Sequence, residues 1–259
     1  MSSQLTNKNY SADTQKQVDR SLKASYTTCS ISDRKLFPQS TCIIPISMAE
    51  TREFEERDDR RFKATFQLVS ATFKYGLLLI GDTLHRHTLR ISYPNDDESA
   101  LYQRSKKIGD LWIERNQSVF QNSTMPYKFQ RWDDYLNHPH FAKQYERVAT
   151  LYETNKDYQA QIHLNAEEYL KRYTTSQFKR IDFDYQKAFQ ACVAYLKEEC
   201  AIMCLWAEGG YSFEVYPSGR CCGMTATYEH LIEPIYPDLL KPVGLRFKKR
   251  VHQNATQSK

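Results

Sequence analysis

The chain has 259 residues, with 36 Lys plus Arg against 31 Asp plus Glu and 41% hydrophobic residues. Length and apolar content fit a packed α/β protein, as one large domain or two small ones, and exclude a chain too polar to bury a core. The formal charge of +5 admits a polyanionic partner without requiring one, and no run approaches the roughly eighteen apolar residues of a membrane span.

Residues 1–38 read as a polar extension rich in Ser, Thr, Gln and Lys, without the apolar stretch of a signal peptide. Residues 39–259 read as one domain, since no linker or internal repeat interrupts them. The seven cysteines, at 29, 42, 192, 200, 204, 221 and 222, lie mostly inside apolar patterns, as buried thiols in a reducing cytoplasm would. They lack the two short-spaced pairs of a zinc site.

The first strand is expected over 41–46, where Cys42-Ile43-Ile44-Pro45-Ile46 runs into Ser47. A helix over 53–75 follows, with Phe62, Phe66, Val69 and Phe73 at spacings of four, three and four. The stretch 77–81 is apolar enough for a parallel strand covered on both faces. With the helix between them, the two strands form a right-handed βαβ unit. Ser47 then stands at the carboxyl end of a parallel strand, where open α/β sheets place their ligands. It is either a nucleophile or a strand-end serine bonded to the backbone. No Gly-x-Ser-x-Gly elbow surrounds it, so as a nucleophile it would need a substrate that arrives already activated.

Pro94-Asn95-Asp96-Asp97 breaks the chain, and Asp97 is placed to cap a helix over 98–116. That helix carries Arg104, Lys106, Lys107 and Arg115, though not as one stripe. Two or three helices follow over 132–173. A strong helix over 182–205 buries Phe189, Cys192, Leu196, Cys200 and Met203 and stops at Gly209-Gly210. A strand over 212–216 meets Pro217-Ser218-Gly219, and Pro234, Pro237 and Pro242 punctuate a tail that runs to Arg250.

Three groups are candidates for chemistry besides Ser47. Tyr195 and Glu199 share a helical face at i, i+4, and a carboxylate beside a pocket can hold an ammonium group or move a proton. The alternative is a surface Glu beside a half-buried Tyr. Tyr216 closes a strand and either reaches the sheet's carboxyl edge or merely marks the turn. His85/His87 and His138/His140 have no third ligand nearby and read as solvated loop histidines. Neither a P-loop nor a dinucleotide fingerprint is present.

In order and spacing, these pieces resemble the cyclodipeptide synthases, a tRNA-dependent family that makes diketopiperazines from two aminoacyl-tRNAs. The resemblance runs from about Cys42 to Pro217 and rests on Ile46-Ser47, the segments 53–75, 77–82 and 98–116, Tyr195-Leu-Lys-Glu-Glu199, and Tyr216. One branch of the family has Asn three residues after the nucleophile, where this chain has Glu50. The other puts Pro directly after the last active-site Tyr, as Tyr216-Pro217 does, and this chain resembles that branch. Pro45 replaces the usual Gly, and the basic helix is thinner than in arginine-rich members.

The resemblance implies a Rossmann-like parallel sheet flanked by helices, like the catalytic domain of class I aminoacyl-tRNA synthetases. The ATP-using His-x-Gly-His and Lys-Met-Ser-Lys-Ser motifs of those enzymes are missing, and neither cofactor nor metal is expected. It further implies Ser47 as nucleophile, Tyr195 and Glu199 on the α-amino group with Tyr195 as proton relay, and Tyr216 positioning Ser47. Ile43, Pro45, Leu79 and Ile202 would line the pocket for the first aminoacyl group. Glu50, Leu196, Lys197, Glu198 and Glu214 complete the expected substrate-binding set. Glu214 either points inward, favouring a cationic or hydrogen-bonding side chain, or faces solvent. Arg104, Lys106, Lys107 and Arg115 would contact tRNA phosphates. The partners are then two aminoacyl-tRNAs, with no DNA and no membrane, for a cytoplasmic monomer. A non-catalytic RNA-binding module and a serine esterase or acyltransferase are the competing readings.

Overall fold

The computed structural model describes residues 22–48, 55–175, 183–217 and 219–249. Strand β1 (Leu22–Tyr26) and helix α1 (Ile31–Leu36) lead to β2 (Thr41–Ser47), α2 (Glu55–Ser70) and β3 (Tyr75–Gly81). Helices α3 (Arg86–Ser92) and α4 (Glu98–Gln121) precede β4 (Tyr127–Arg131). Four helices follow: α5 (Trp132–Leu136), α6 (Phe141–Thr154), α7 (Lys156–Thr174) and α8 (Tyr185–Glu208). The chain closes with β5 (Phe213–Val215), α9 (Cys222–Thr227), β6 (Lys241–Val243) and β7 (Leu245–Lys249).

Short polar side chains start the long helices. Asp97 accepts from Ala100 N ahead of α4, Asn155 from Asp157 and Tyr158 N ahead of α7, and Asp184 from Lys187 N ahead of α8. Each satisfies a backbone donor that the first turn leaves unpaired. Gly210 at φ +76° ends α8 in a conformation that costs a residue with a Cβ.

Five strands form one parallel sheet in the order β4-β3-β2-β5-β6. Successive strands step outward from β2 through β3 to β4, and the chain then returns to β5 on the other side of β2. That reversal between β2 and β5 is the topological switch point, where an open α/β sheet leaves a crevice. Alternation along the strands divides the core. Ile44, Leu78, Phe213 and Val215 pack with Phe62, Phe66 and Val69 on one face. Ile43, Leu77 and Leu79 pack with Ile202, Met203 and Trp206 of α8 on the other. Fully burying each such Leu or Ile stabilises the fold by roughly 1.5–3 kcal/mol. A third cluster, including Val148, Tyr158, Ile162, Leu196 and Cys200, joins α6, α7 and α8.

Several expectations shift. The helix expected over 53–75 is described only over Glu55–Ser70, and Phe73 is buried beyond its end. Strands β1, β4, β6 and β7 carry no clear apolar run. β4 reads Tyr-Lys-Phe-Gln-Arg and lies at one edge of the sheet, and β6 reads Lys-Pro-Val at the other. Edge strands are half-solvated, so their sequences stay mixed. β1 and α1 fall inside the expected 1–38 extension, and β1 pairs antiparallel with β7 of the basic tail. No helix among the described residues is long and apolar enough to cross a membrane.

Candidate active site

A pocket lies at the switch point, on the α8 side of the sheet. β2 supplies Pro45, Ile46 and Ser47, β3 supplies Leu79 and Gly81, and the residue after β5 supplies Tyr216. Tyr195, Glu199 and Trp206 descend from α8, and Leu84 and Trp132 close the side. Ser47 pairs in register with Gly81. A Cβ at Gly81 would come within 3.1 Å of the Ile46 carbonyl oxygen, so a larger residue there would crowd the strand that presents the serine.

Glu199 has an unusual electrostatic setting. Burial first, and the neighbouring Glu214 carboxyl second, push its pKa up to about 8 from the ordinary 4.5. Glu214 is 1% exposed and accepts a hydrogen bond from Arg220 Nε at 2.6 Å through Oε2, while its buried Oε1 has no partner among the described residues. The Arg220 guanidinium also stacks over Tyr228, 4.5 Å from the ring centroid. Glu214 therefore does not face solvent. Arg220 answers its charge from within the protein, which removes the reason to expect a cationic side chain beside it.

Glu198, one residue before Glu199, is turned away from this cluster. Arg86 Nη1 donates to its Oε1 at 2.9 Å and Nη2 to Oε2 at 2.5 Å, and His87 Nε2 lies 3.0 Å from Oε2. Trp132 Nε1 donates to Oε1 at 2.8 Å. Burial alone would raise the Glu198 pKa, but His87 and Arg86 together lower it. This clamp fixes Trp132, and through it one wall of the pocket.

The chain is 44% identical to a cyclodipeptide synthase from Fluoribacter dumoffii, over 88% of this chain and 100% of that one, with a TM-score of 0.83. It belongs to the cyclodipeptide synthase family. A cyclodipeptide synthase from Candidatus Glomeribacter gigasporarum, solved bound to Phe-tRNAPhe, shares the fold at 20% identity and a TM-score of 0.63, over 85% of this chain and 93% of that one. The Mycobacterium tuberculosis cyclodipeptide synthetase, described as related to type I tRNA synthetases, does so at 8% identity and 0.59, over 89% and 94%. No family model and no curated protein matches the chain.

Within this synthase, Ser47, Tyr195, Glu199, Tyr216, Pro45 and Leu79 meet in the pocket. Ile43 and Ile202 sit one layer below, fully buried in the core and not on the pocket wall. Leu196 packs into the helical cluster, and Lys197 lies over the rings of Tyr145 and Tyr152 at 5.8 and 5.0 Å. Glu198 belongs to the clamp, and Glu50 lies outside the described residues. On α4, Arg104 pairs with Asp96 at 3.1 Å, Lys106 with Asp133 at 3.7 Å and Arg115 with Asp59, while Lys107 is exposed.

The histidines also differ from expectation. His85 is 1% exposed, and burial drives its pKa down to about 3. His87 joins the Glu198 clamp, and His140 Nδ1 lies 3.0 Å from Glu208 Oε2. Of these four, the solvated-loop reading fails for His85 and His87, because the turn after β3 tucks under α8. Sequence reasoning missed Leu84, Trp132 and Trp206 as wall residues. Trp206 continues the Tyr195–Glu199 stripe at i+7 from Glu199 and was there to be found. Trp132 follows an edge strand with no apolar signature, so nothing in its sequence context pointed to the pocket.

Proposed function

We propose that this chain joins two aminoacyl-tRNAs into a cyclic dipeptide by ping-pong transfer through an acylated Ser47. What supports the reading most is that Ser47, Tyr195, Glu199 and Tyr216 line one pocket at the switch point of the sheet. In the first step the Ser47 oxygen attacks the ester carbon of the first aminoacyl-tRNA. The serine–acyl bond forms as the ribose–acyl bond breaks, and the serine proton passes to the departing ribose oxygen. Ester for ester is nearly isoenergetic, so the exchange needs no activation beyond the ester that the substrate already carries.

Glu199 is suited to the second step. The α-amino group of the residue esterified to Ser47 is a nucleophile only as the free amine, and its ordinary pKa is about 8. A carboxyl also poised at about 8 exchanges a proton with it at little cost in either direction. Glu199 thus takes the ammonium proton, and the freed amine attacks the ester carbon of the second aminoacyl-tRNA. The peptide bond forms as the ribose–acyl bond breaks, the amine's surplus proton passes to the departing ribose oxygen, and a dipeptide is left on Ser47. The free amine of that dipeptide closes the six-membered ring and releases Ser47, with Tyr195 relaying the proton and proximity lowering the barrier. Tyr216 orients Ser47, and Tyr216-Pro217 supports placing the chain in the Tyr-Pro branch. Pro45 and Leu79 contact the first aminoacyl group, and basic residues of α4 contact tRNA phosphates.

Mass spectrometry of medium from bacteria expressing this chain tests the reading. A new diketopiperazine is expected, lost in Ser47→Ala while aminoacyl-tRNA binding survives. Product formation by folded Ser47→Ala would remove the acyl-serine from the mechanism. Turnover of small esters without tRNA would favour the esterase instead.

A further inference from the structure

The outward face of the β1/β7 ribbon carries one sign of charge. Paired residues on a ribbon share a face. Ala24 and Phe247 turn inward, whereas Lys23 with Lys248 and Ser25 with Arg246 stand outward and exposed. Three cations and a serine therefore make up that face, and none of the three has an ion-pair partner among the described residues. Like charges directly opposite weaken a strand pair, and a two-stranded ribbon has little stability to spare. An ordinary solvated face mixes its signs, as α7 does with exposed Lys156, Asp157, Glu168 and Lys171. We propose that the outward face of the ribbon binds the phosphate backbone of aminoacyl-tRNA, as a second contact surface beside α4. The proposal rests on the tRNA-dependent reading above and adds where the RNA lies.

The fold sets this face where such a partner passes. Tyr26 and Leu245 pack into the same cluster as Phe62 of α2 and Trp112 of α4, so the ribbon, α2 and α4 cover one face of the sheet. Between the other two, α2 exposes Lys63, which also lacks an ion-pair partner among the described residues. Because β2 and β3 are parallel, α2 runs back from the carboxyl edge of the sheet to its amino edge. The Tyr26 hydroxyl is hydrogen-bonded to Thr72, just before β3 and so at the amino edge. Phe247 lies under Arg61, toward the other end of α2, with the guanidinium carbon 5.5 Å from its ring centroid. The ribbon thus extends toward the carboxyl edge, and Lys23 and Lys248 stand at the end nearer Ser47. An RNA whose terminal ester reaches Ser47 can cross that edge. Arg246 and Lys248, two residues apart and about 7 Å along the strand, can meet neighbouring phosphates.

Filter binding of charged bulk bacterial tRNA across a salt series of about 50–200 mM tests the contact. The triple variant Lys23→Gln, Arg246→Gln and Lys248→Gln is expected to reduce the slope of log affinity against log salt by about two to three. Its thermal midpoint should be unchanged or higher, because the substitutions also remove a like-charge pair. A control triple on the far side of the sheet, Lys143→Gln, Lys156→Gln and Lys171→Gln, removes as much exposed charge from α6 and α7 and should change the slope less. If the ribbon triple does not fold, Lys248→Gln alone should reduce the slope by about one.

A folded ribbon variant with the parent's slope, or a control that lowers the slope as much, would overturn the ribbon contact and leave the tRNA-dependent reading standing. Weaker binding together with a lower thermal midpoint would assign the three cations to the fold and overturn the contact too. So would loss of binding to phosphatidylserine vesicles at unchanged tRNA affinity, which would give the face to a membrane. Failure of the parent protein to bind any charged tRNA would overturn both readings at once.

Discussion

Glu198 and Glu199 are consecutive on α8, about 100° apart around the helix, and the protein treats them in opposite ways. Glu198 points to Arg86, His87 and Trp132, and those partners lower its pKa despite burial. Glu199 points to the pocket and to Glu214, and its pKa rises to about 8. The difference is one of who supplies the counter-charge. Where the protein supplies it, the carboxylate is a structural tie. Where it does not, burial keeps the carboxyl neutral until a ligand brings a cation or a proton acceptor is needed.

Breaking the tied member should have the largest effect. Glu198→Ala takes from Arg86 its buried carboxylate and from the Trp132 indole N–H its acceptor, and removing one side of a buried ion pair costs about 3–5 kcal/mol. Arg86 keeps Glu98 at 3.2 Å, which favours the lower end of that range. The expected fall in thermal midpoint is roughly 10 °C. Glu198→Gln should recover part of it, because an amide oxygen can still accept from Trp132. An unchanged midpoint in Glu198→Ala would mean the clamp is not a stabilising tie.

Glu199→Gln should do the reverse, lowering turnover by about 100-fold or more while leaving the fold intact. Its stability should also carry a pH signature. Below about 4.5 the carboxyl is protonated in both folded and unfolded chains. As pH rises toward 8, the unfolded chain ionises while the folded one does not, so the stabilisation held by the neutral form drains away. The loss is at most about 1.4 kcal/mol per pH unit. Glu199→Gln should therefore gain on the parent chain steadily between pH 5 and 8 in denaturant titrations. Parallel pH profiles for the two proteins would show that Glu199 is not held neutral.

Much of this contrast was legible in the sequence, but not all of it. The i, i+4 spacing of Tyr195 and Glu199, the apolar strand ending at Ser47, and the Tyr216-Pro217 junction each pointed to the sheet's carboxyl edge, and those residues do meet there. Periodicity is a local property, and it reads β2, β3 and α8 well because each buries most of its length. The clamp was not legible, because Arg86 and Glu198 are 112 positions apart and only the turn after β3 brings them together. Glu214 was not settled by the sequence either: its ion pair with Arg220, six positions on, depends on how the chain bends after β5, which periodicity does not report. Edge strands were missed for the opposite reason, since half-solvated backbone leaves no apolar pattern to detect.

The rule of answered and unanswered charge also ranks the cations of α4. Arg115 is paired with Asp59, and Arg104 with Asp96 while it stacks on Tyr93 at 3.8 Å. Lys107 is exposed and, among the described residues, makes no ion pair. A phosphate approaching Arg115 must compete with a carboxylate already in place, whereas one approaching Lys107 displaces only water and counterions. Lys107→Gln should thus weaken tRNA binding modestly and reduce the slope of log affinity against log salt by about one. Arg115→Gln should change that slope less, and its loss of Asp59 should register instead as up to about 1 kcal/mol of stability, as for an exposed pair. Filter binding of one aminoacyl-tRNA across a salt series measures both slopes. Equal slopes for the two variants would mean that pairing in the free protein does not decide which cations meet the tRNA. Only then would the contrast between Glu198 and Glu199 be confined to the interior, where a carboxylate cannot exchange its partner for water.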